Sequence, residues 1–590
     1  MELTKEQYDI IHSNGDVKIN AVAGSGKTTT LISYAKSRDP KSKILYLALN
    51  NTVKTKALQK FAAAGINDIK IETAHSLALE NINKHRHFKI TPNYKNYDWC
   101  DILGINTGDR MTDLIVANHV TKFLSYFCNS RALKIADLNY ADTITEPTAR
   151  LLVTKSYDLI EKYTREALAK MDKSEIAITH DFYLKKFQLS QPLLPYDYVL
   201  FDEGQDASAV MLSLFLQQRA TKIIVGDINQ QIYGCRYANS LQQIDFPEYN
   251  LSNSFRFNDE IALLANKILG WKKYLNLPDP LHITGVRNNT DIIETKATIG
   301  RTNLGVLLSA ISQWKQDKLR TLYFEGNINK YTFIDEGTSL YDVLALSNGR
   351  KGIIKDKLIA AMNSLADLKK YIRKTENPGL AMMVDIVKEF GNDLPTLIDE
   401  LRANQSSVKE DADMIFGTVH RCKWMEYDSV TLLNDFITEK KLKKSIVQSG
   451  LDEMTETVKN YITEEINILY VAATRAKNKL IIPPEISPLR SLEFVSQMSV
   501  PASVPLEKNI LDDNYSARII NNEQGEYKSR QFNKPDNHGN PWTDEEVAKL
   551  REMYNTHHPI DEIAKQLQRG ETAVRLKLYF TGLIRVQDML

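Results

Sequence analysis

The chain has 590 residues, 43% hydrophobic and 25% charged, a length beyond one hydrophobic core, so three or more domains are expected. Its 75 basic and 74 acidic residues give a net charge of +1, which carries no whole-chain signature of nucleic-acid binding, although a narrow channel needs only local positive charge. No apolar run reaches the roughly 18 residues of a membrane span, and the start MELTKEQYDI has neither the basic nor the apolar segment of a secretory signal, which points to an intracellular protein, cytoplasmic or nuclear according to its source.

In chain order, residues 17–30 read VKINAVAGSGKTTT. A β-branched run with Val17 and Ile19, a small-residue loop and a helical stretch make a phosphate-binding P-loop. Gly24 and Gly26 let the backbone turn its N–H groups towards phosphate oxygens. The helix N-terminus adds partial positive charge. Lys27 supplies a full charge, and the Thr28 hydroxyl is a candidate Mg²⁺ ligand. Ala23, Gly24, Ser25, Gly26, Lys27, Thr28 and Thr29 form the candidate ATP-phosphate segment, with Ala21 where the general pattern has its first Gly. KILYLAL and IKIET read as further strands. Residues 96–179 are helix-patterned and read as an insertion.

A second carboxylate-tipped strand follows in DYVLFDEGQD, residues 197–206. Asp202 would join the Mg²⁺ shell, and Glu203 would accept a proton from the attacking water. The next strand, in TKIIVGDINQQIY, brings Gln230 as a sensor of the γ-phosphate or water. Such strand ends fit ligand binding at the carboxyl edge of a parallel sheet. Tyr233, three residues on, offers a ring that can stack on a base. Residues 346–407 are helical in pattern. Residues 491–540, rich in Pro, Asn, Ser and Gly, read as a linker. Beyond them, three short helical patterns (Asp544–Tyr554, Ile560–Leu567, Glu571–Phe580) predict a small all-α domain, with a capping box at Thr543 and Glu546. The four cysteines, Cys100, Cys128, Cys235 and Cys422, lack metal-ligand spacing and read as buried reduced thiols.

Taken together, these ordered motifs resemble superfamily 1A helicases of the UvrD/Rep kind, closest to the F-box DNA helicase branch without an F-box segment. The resemblance runs from about residue 1 to about 490. It implies an α/β fold of two RecA-like P-loop domains with helical insertions. Domain 1A would take 1–95 and 180–255, 1B 96–179, 2A 256–345 and 408–490, and a reduced 2B 346–407, with the C-terminal three-helix module at 541–590. It further implies that Gln7 contacts adenine, Phe255 stacks on it and Glu426 lies near the ribose. Arg256 and Arg475 would be arginine fingers beside Lys27, Glu203 and Gln230. DNA contacts would fall to Asn50, Thr73, His75, Tyr233, Arg301, Thr418 and His420. ATP and Mg²⁺ are the implied cofactors, and ATP-driven closure of the two domains the implied motor. The implied partners are single-stranded DNA and single-strand/duplex junctions, with 3′→5′ travel from the QxIY-type motif and no membrane.

Two positions depart from the family. Trp424 replaces a glycine in Lys423-Trp424-Met425-Glu426-Tyr427, so the local backbone and any DNA contact there need not follow the pattern. Cys235 replaces an aromatic. The C-terminal module resembles a Myb-like or helix-turn-helix unit, with Arg569, Arg575 and Lys577 on or beside its third helix, for duplex DNA or a protein partner. Two other readings stand beside the helicase: a scaffold that keeps the fold without turnover, and an RNA helicase.

Overall fold

A computed structural model describes residues 3–84, 87–91, 93–234, 241–288, 290, 292–316, 319–332, 340–449, 454, 456–486, 542–556, 558–569, 574, 577 and 578. The fold is mixed α/β, in two compact units. The first gathers Met1–Ile293, Cys422–Val430 and Glu439–Leu480; the second gathers Glu294–Arg421, Thr431–Thr438 and Ile481–Leu590.

In the first unit, β1 (Val17–Ala21), β2 (Ile44–Ala48), β3 (Lys70–Thr73), β4 (Tyr198–Phe201), β5 (Thr221–Gly226) and β6 (Glu248–Leu251) form one sheet in the order β3-β2-β4-β5-β1-β6. Every pairing is parallel. All five residues of β2, ILYLA, are buried, as a strand covered on both faces requires. Ile19, Leu31, Tyr46, Phe61, Leu200, Ile223 and Val225 share its core. A two-stranded parallel pair, β7 (Asn253–Ser254) and β8 (Thr284–Gly285), follows. The long connection from β3 to β4 is helical, including Arg110–Asn129 and Tyr157–Asp172.

In the second unit, β9 (Lys296–Gly300), β10 (Leu322–Phe324) and β11 (Met414–Thr418) pair in parallel in the order β10-β11-β9. Helices Leu340–Ser347, Leu365–Thr375, Pro378–Phe390 and Leu394–Ala403 lie between β10 and β11 in the chain. Later strands are β12 (Tyr427–Leu432) and β13 (Ala476–Ile481). Two parallel α/β arrangements with helical segments between strands fit paired RecA-like domains. Among the described residues no helix is long and apolar enough to cross a membrane.

Near the C-terminus, helices Asp544–Asn555 and Ile560–Gln566 pack Leu550, Met553, Ile563, Ala564 and Leu567 with Val574 and Leu578. The capping box is present: Glu546 N donates to Thr543 Oγ1 at 3.2 Å, and Thr543 N to Glu546 Oε2 at 2.9 Å. Most of the expected helix Glu571–Phe580, with Arg575, lies outside the described residues, as do the linker 491–540 and Cys235. Arg569 corrects an expectation. It is 4% exposed, donates to Glu546 at 2.8 and 3.2 Å and sits 4.7 Å from the Trp542 ring centroid. A guanidinium so engaged holds the small core together and does not reach out to DNA. Cys100, Cys128 and Cys422 are buried, as expected.

Candidate nucleotide-binding and polynucleotide-binding site

The P-loop runs from the end of β1 through Val22–Gly26 into the helix Lys27–Lys36. Gly24 and Gly26 both have left-handed backbones, with φ of +74° and +78°. At Gly24 the space matters too: a Cβ there would stand 2.5 Å from Arg256 Cβ and 2.7 Å from Ser254 Oγ. The loop is braced on that side by Phe255 N, which donates to Gly24 O at 2.9 Å. Gln7, buried, donates to Thr30 Oγ1 at 3.2 Å and lies beside Gly26, as does the Phe255 ring. Thus both residues expected near adenine flank the loop.

Three carboxylates converge below it. Thr28 Oγ1 donates to Asp202 Oδ2 at 3.0 Å, and the Tyr46 hydroxyl donates to the same oxygen at 2.5 Å. Lys27 Nζ is 3.3 Å from Glu203 Oε2. Burial works against the Lys27 ammonium, but Glu203, Asp227 and Asp202 outweigh it and raise its pKa above the ordinary lysine value. Burial likewise opposes the Glu203 carboxylate, but Lys27, a hydrogen bond from Gln205 and the charge of Lys423 hold its pKa below the usual range. Asp202 moves upward, from burial and the neighbouring Glu203 charge. Glu203 itself has φ +58°, a strained region for a residue with a side chain.

Gln230 Nε2 donates to Asp227 Oδ2 at 2.9 Å. The Tyr470 hydroxyl donates to the same oxygen at 2.9 Å and accepts from Ala23 N at 3.1 Å. One tyrosine therefore ties the P-loop to the Gln230 segment. Arg256 donates through Nε to Glu426 Oε1 at 2.8 Å, and through a terminal nitrogen to Thr474 O at 3.1 Å. Burial opposes the charge on Glu426, yet Arg256 and Arg475 depress its pKa. Arg475 is 1% exposed and donates to the carbonyls of Val471, Lys423 and Met425. Burial and the nearby Arg256 lower its pKa, but a guanidinium stays charged at neutral pH.

The buried Lys423 ammonium pairs with Asp206 at 2.5 Å and donates to Gln230 O at 2.7 Å. Gln205 donates to Glu203 at 2.7 Å and to Asp206 at 3.2 Å. Tyr46, Gln205, Asp206, Asp227, Lys423 and Tyr470 thus belong to the site, though the sequence reading assigned them no role. Position in the motifs was their only signal.

Of the residues expected on DNA, Asn50 and Thr73 each cap a helix, accepting from Val53 N at 2.9 Å and Ser76 N at 3.0 Å. His75 packs edge-on against Tyr183, with centroids 5.9 Å apart. Tyr233 lies against Trp424, with centroids 6.0 Å apart and planes inclined by 21°. Arg301, Thr418 and His420 belong to the second unit. Arg301 follows β9, and its backbone N donates to Asp435 Oδ1 at 2.8 Å. Thr418 ends β11 and is buried. His420 lies in the short helix Val419–Cys422.

Comparison with known proteins accords with this geometry. Residues 3–247 match the model of the UvrD/REP helicase N-terminal domain. The chain is 28% identical to F-box DNA helicase 1 of Gallus gallus over 83% of its own length and 50% of that protein's. It is 29% identical to F-box DNA helicase protein 1 of Schizosaccharomyces pombe, over 83% of its length and 58% of that protein's. The chain therefore spans between half and three-fifths of these relatives. A solved arterivirus nonstructural protein 10 helicase aligns over 82% of this chain and 62% of that one at 10% identity, with a TM-score of 0.27, too low to carry any argument. On the motifs and the matched segment, the chain resembles the UvrD/Rep-like superfamily 1 helicases, and the match to their N-terminal domain falls on residues 3–247.

Proposed function

We propose that the chain is an ATP-hydrolysing helicase or translocase acting on single-stranded DNA and travelling 3′→5′. The observation that carries this reading is the convergence of Lys27, Thr28, Asp202 and Glu203 on one loop that Arg256 also abuts. The buried Ser25 hydroxyl in that loop has no hydrogen-bond partner, as befits a group kept for a ligand. ATP phosphates would lie along Ala23–Thr29, with Gln7 and Phe255 at the base and Glu426 towards the ribose. Thr28 and Asp202 offer the all-oxygen donor set that suits Mg²⁺. That ion, when bound, neutralises charge on the terminal phosphates.

The chain's own groups divide the remaining work. Glu203, with a depressed pKa, is ionised at neutral pH and accepts the proton of the attacking water. Lys27, Arg256 and Arg475 spread positive charge where negative charge develops. Gln230 registers the state of the γ-phosphate, and Tyr233, three residues on, carries that state to a stacked base. Asn50, Thr73, His75, Arg301, Thr418 and His420 are the further proposed strand contacts. The domain limits follow the family: 1A at 1–95 and 180–255, 1B at 96–179, 2A at 256–345 and 408–490, and a reduced 2B at 346–407. Junctions between single strand and duplex are the proposed substrate.

ATP turnover with and without single-stranded DNA or RNA, together with unwinding of duplexes bearing either a 3′ or a 5′ tail, tests the reading. DNA-stimulated turnover and unwinding of the 3′-tailed duplex alone are expected. No turnover under any condition would return the chain to a scaffold role; stimulation by RNA alone would make it an RNA helicase.

A further inference from the structure

Trp424 is a side chain that the family pattern does not supply. It is half-buried and stacks in near-parallel fashion on Tyr233. The Lys423 ammonium lies 4.7 Å from the Tyr233 centroid and 5.8 Å from that of Trp424. Because that ammonium is fixed by Asp206 and Gln230 O, it holds both rings by cation–π attraction. The exposed Lys56, on the helix Asn51–Ala63, donates to the Trp424 carbonyl at 3.2 Å. The buried Trp424 indole N–H has no acceptor.

We propose that Trp424 and Tyr233 form a two-ring platform for the unpaired bases of a polynucleotide strand, with Lys56 beside it as a cation for the strand's phosphates. Aromatic faces combined with a nearby basic side chain are the elements of sequence-tolerant single-strand binding. Glycine at position 424 would leave Tyr233 alone; the indole adds a second ring. The platform also shares its support with the nucleotide site, because Lys423 pairs with Asp206, and Gln205 links Asp206 to Glu203. This inference deepens the proposed function and rests on it.

The test is the anisotropy of labelled oligonucleotides of equal length: oligo-dT, oligo-rU and an abasic strand that keeps the phosphates but has no bases. Wild-type protein should prefer oligo-dT to the abasic strand. Trp424→Ala should weaken oligo-dT binding about 5- to 150-fold, the range for losing one stacked base, and leave abasic binding nearly unchanged. Lys56→Ala should weaken all strands alike. Should Trp424→Ala lose abasic binding as well, Trp424→Phe decides, since it keeps a ring: retained preference for bases supports the platform and lost preference overturns it. Equal effects on oligo-dT and oligo-rU mark recognition of the base face, and an effect on oligo-rU alone assigns the platform to RNA. Wild-type affinity for oligo-dT and oligo-rU in Trp424→Ala overturns the platform and leaves the helicase reading standing. Failure of the wild type to bind either strand overturns both.

Discussion

After β1 the chain turns through Val22–Gly26 into the helix Lys27–Lys36; after β9 it turns through Arg301 and Thr302 into the helix Asn303–Lys315. Both are parallel strands feeding a helix N-terminus, the geometry that attracts anions. In the first unit the turn is made of small residues, and Ser25 keeps a buried hydroxyl without a partner. In the second, the chain supplies its own anion. Asp435, 1% exposed, accepts from Arg301 N at 2.8 Å, Thr302 N at 2.9 Å and Thr302 Oγ1 at 3.0 Å. Gly305 makes room for it, since a Cβ there would stand 2.5 Å from Asp435 Oδ2. One strand-to-helix junction fits the proposed ligand, and the other is plugged by a carboxylate from a distant part of the sequence. On the proposed function, the same local architecture serves chemistry in one place and stability in the other, according to who provides the negative charge.

The comparison is easiest to break at Lys27. Lys27→Ala removes the full charge of the open junction, and ATP turnover should fall by at least about 10²–10³-fold, the cost of losing one charge-stabilising group. Binding of single-stranded DNA in the absence of nucleotide should persist. Steady-state phosphate release and DNA anisotropy check the two halves, and normal turnover would refute the site. The plugged junction should behave the other way. Asp435→Ala strands two buried backbone N–H groups and a hydroxyl, and should cost about 2–4 kcal/mol of folding stability. The check is denaturant unfolding, with turnover per folded molecule measured well below the melting temperature. A large loss of turnover without a loss of stability would mean that Asp435 also serves a ligand.

Charge can sharpen the contrast without altering either loop. Lys272, 6% exposed, donates to Asn229 Oδ1 at 2.6 Å, and burial lowers its pKa to about 8. In the unfolded chain it titrates near 10.4. Between those values the unfolded chain holds the extra proton, so this group makes the fold more stable as pH rises from about 8 to about 10.4. The span amounts to roughly 3 kcal/mol. Lys185, also lowered to about 8, acts over the same window, so the measurement is the difference between wild type and Lys272→Met. That difference in thermal midpoint should shift steadily in favour of the wild type across the window. A flat difference would show that Lys272 does not titrate there.

How much of this was legible follows from how local each feature is. The P-loop was readable because strand, glycines, Lys27 and helix lie within 20 residues of one another, and each has a physical reason to be there. The placing of Asp202 and Glu203 beside the loop was readable from a strand ending in two carboxylates. Asp435 was not readable, because its partners lie 134 and 133 residues away and no pattern in the sequence joins them. The Tyr233–Trp424 stack was hidden for the same reason, although both residues had been singled out separately. Arg569 misled: a basic residue beside an expected recognition helix looks like a DNA contact until Glu546 and Trp542 are seen to enclose it. Sequence periodicity reports which face is apolar, but not which charge will be consumed internally.

Tyr470 offers the finest cut through the open junction, because it bears on the shape of the loop and not on its charge. Its hydroxyl joins Ala23 N to Asp227, and Asp227 in turn receives Gln230. Tyr470→Phe keeps the buried ring and removes only the link, leaving Ala23 N without that acceptor and Asp227 with one donor fewer. The loss should be about 1–2 kcal/mol, or roughly 5- to 30-fold, in kcat/KM for ATP. If the link serves mainly to hold the P-loop, the change should appear in KM with kcat little altered. If it carries the Gln230 state, kcat and its stimulation by DNA should fall together. Kinetics unchanged in both parameters would leave the hydroxyl a plain buried hydrogen bond, and the open junction would then owe its shape to Gly24, Gly26 and the brace from Phe255 alone.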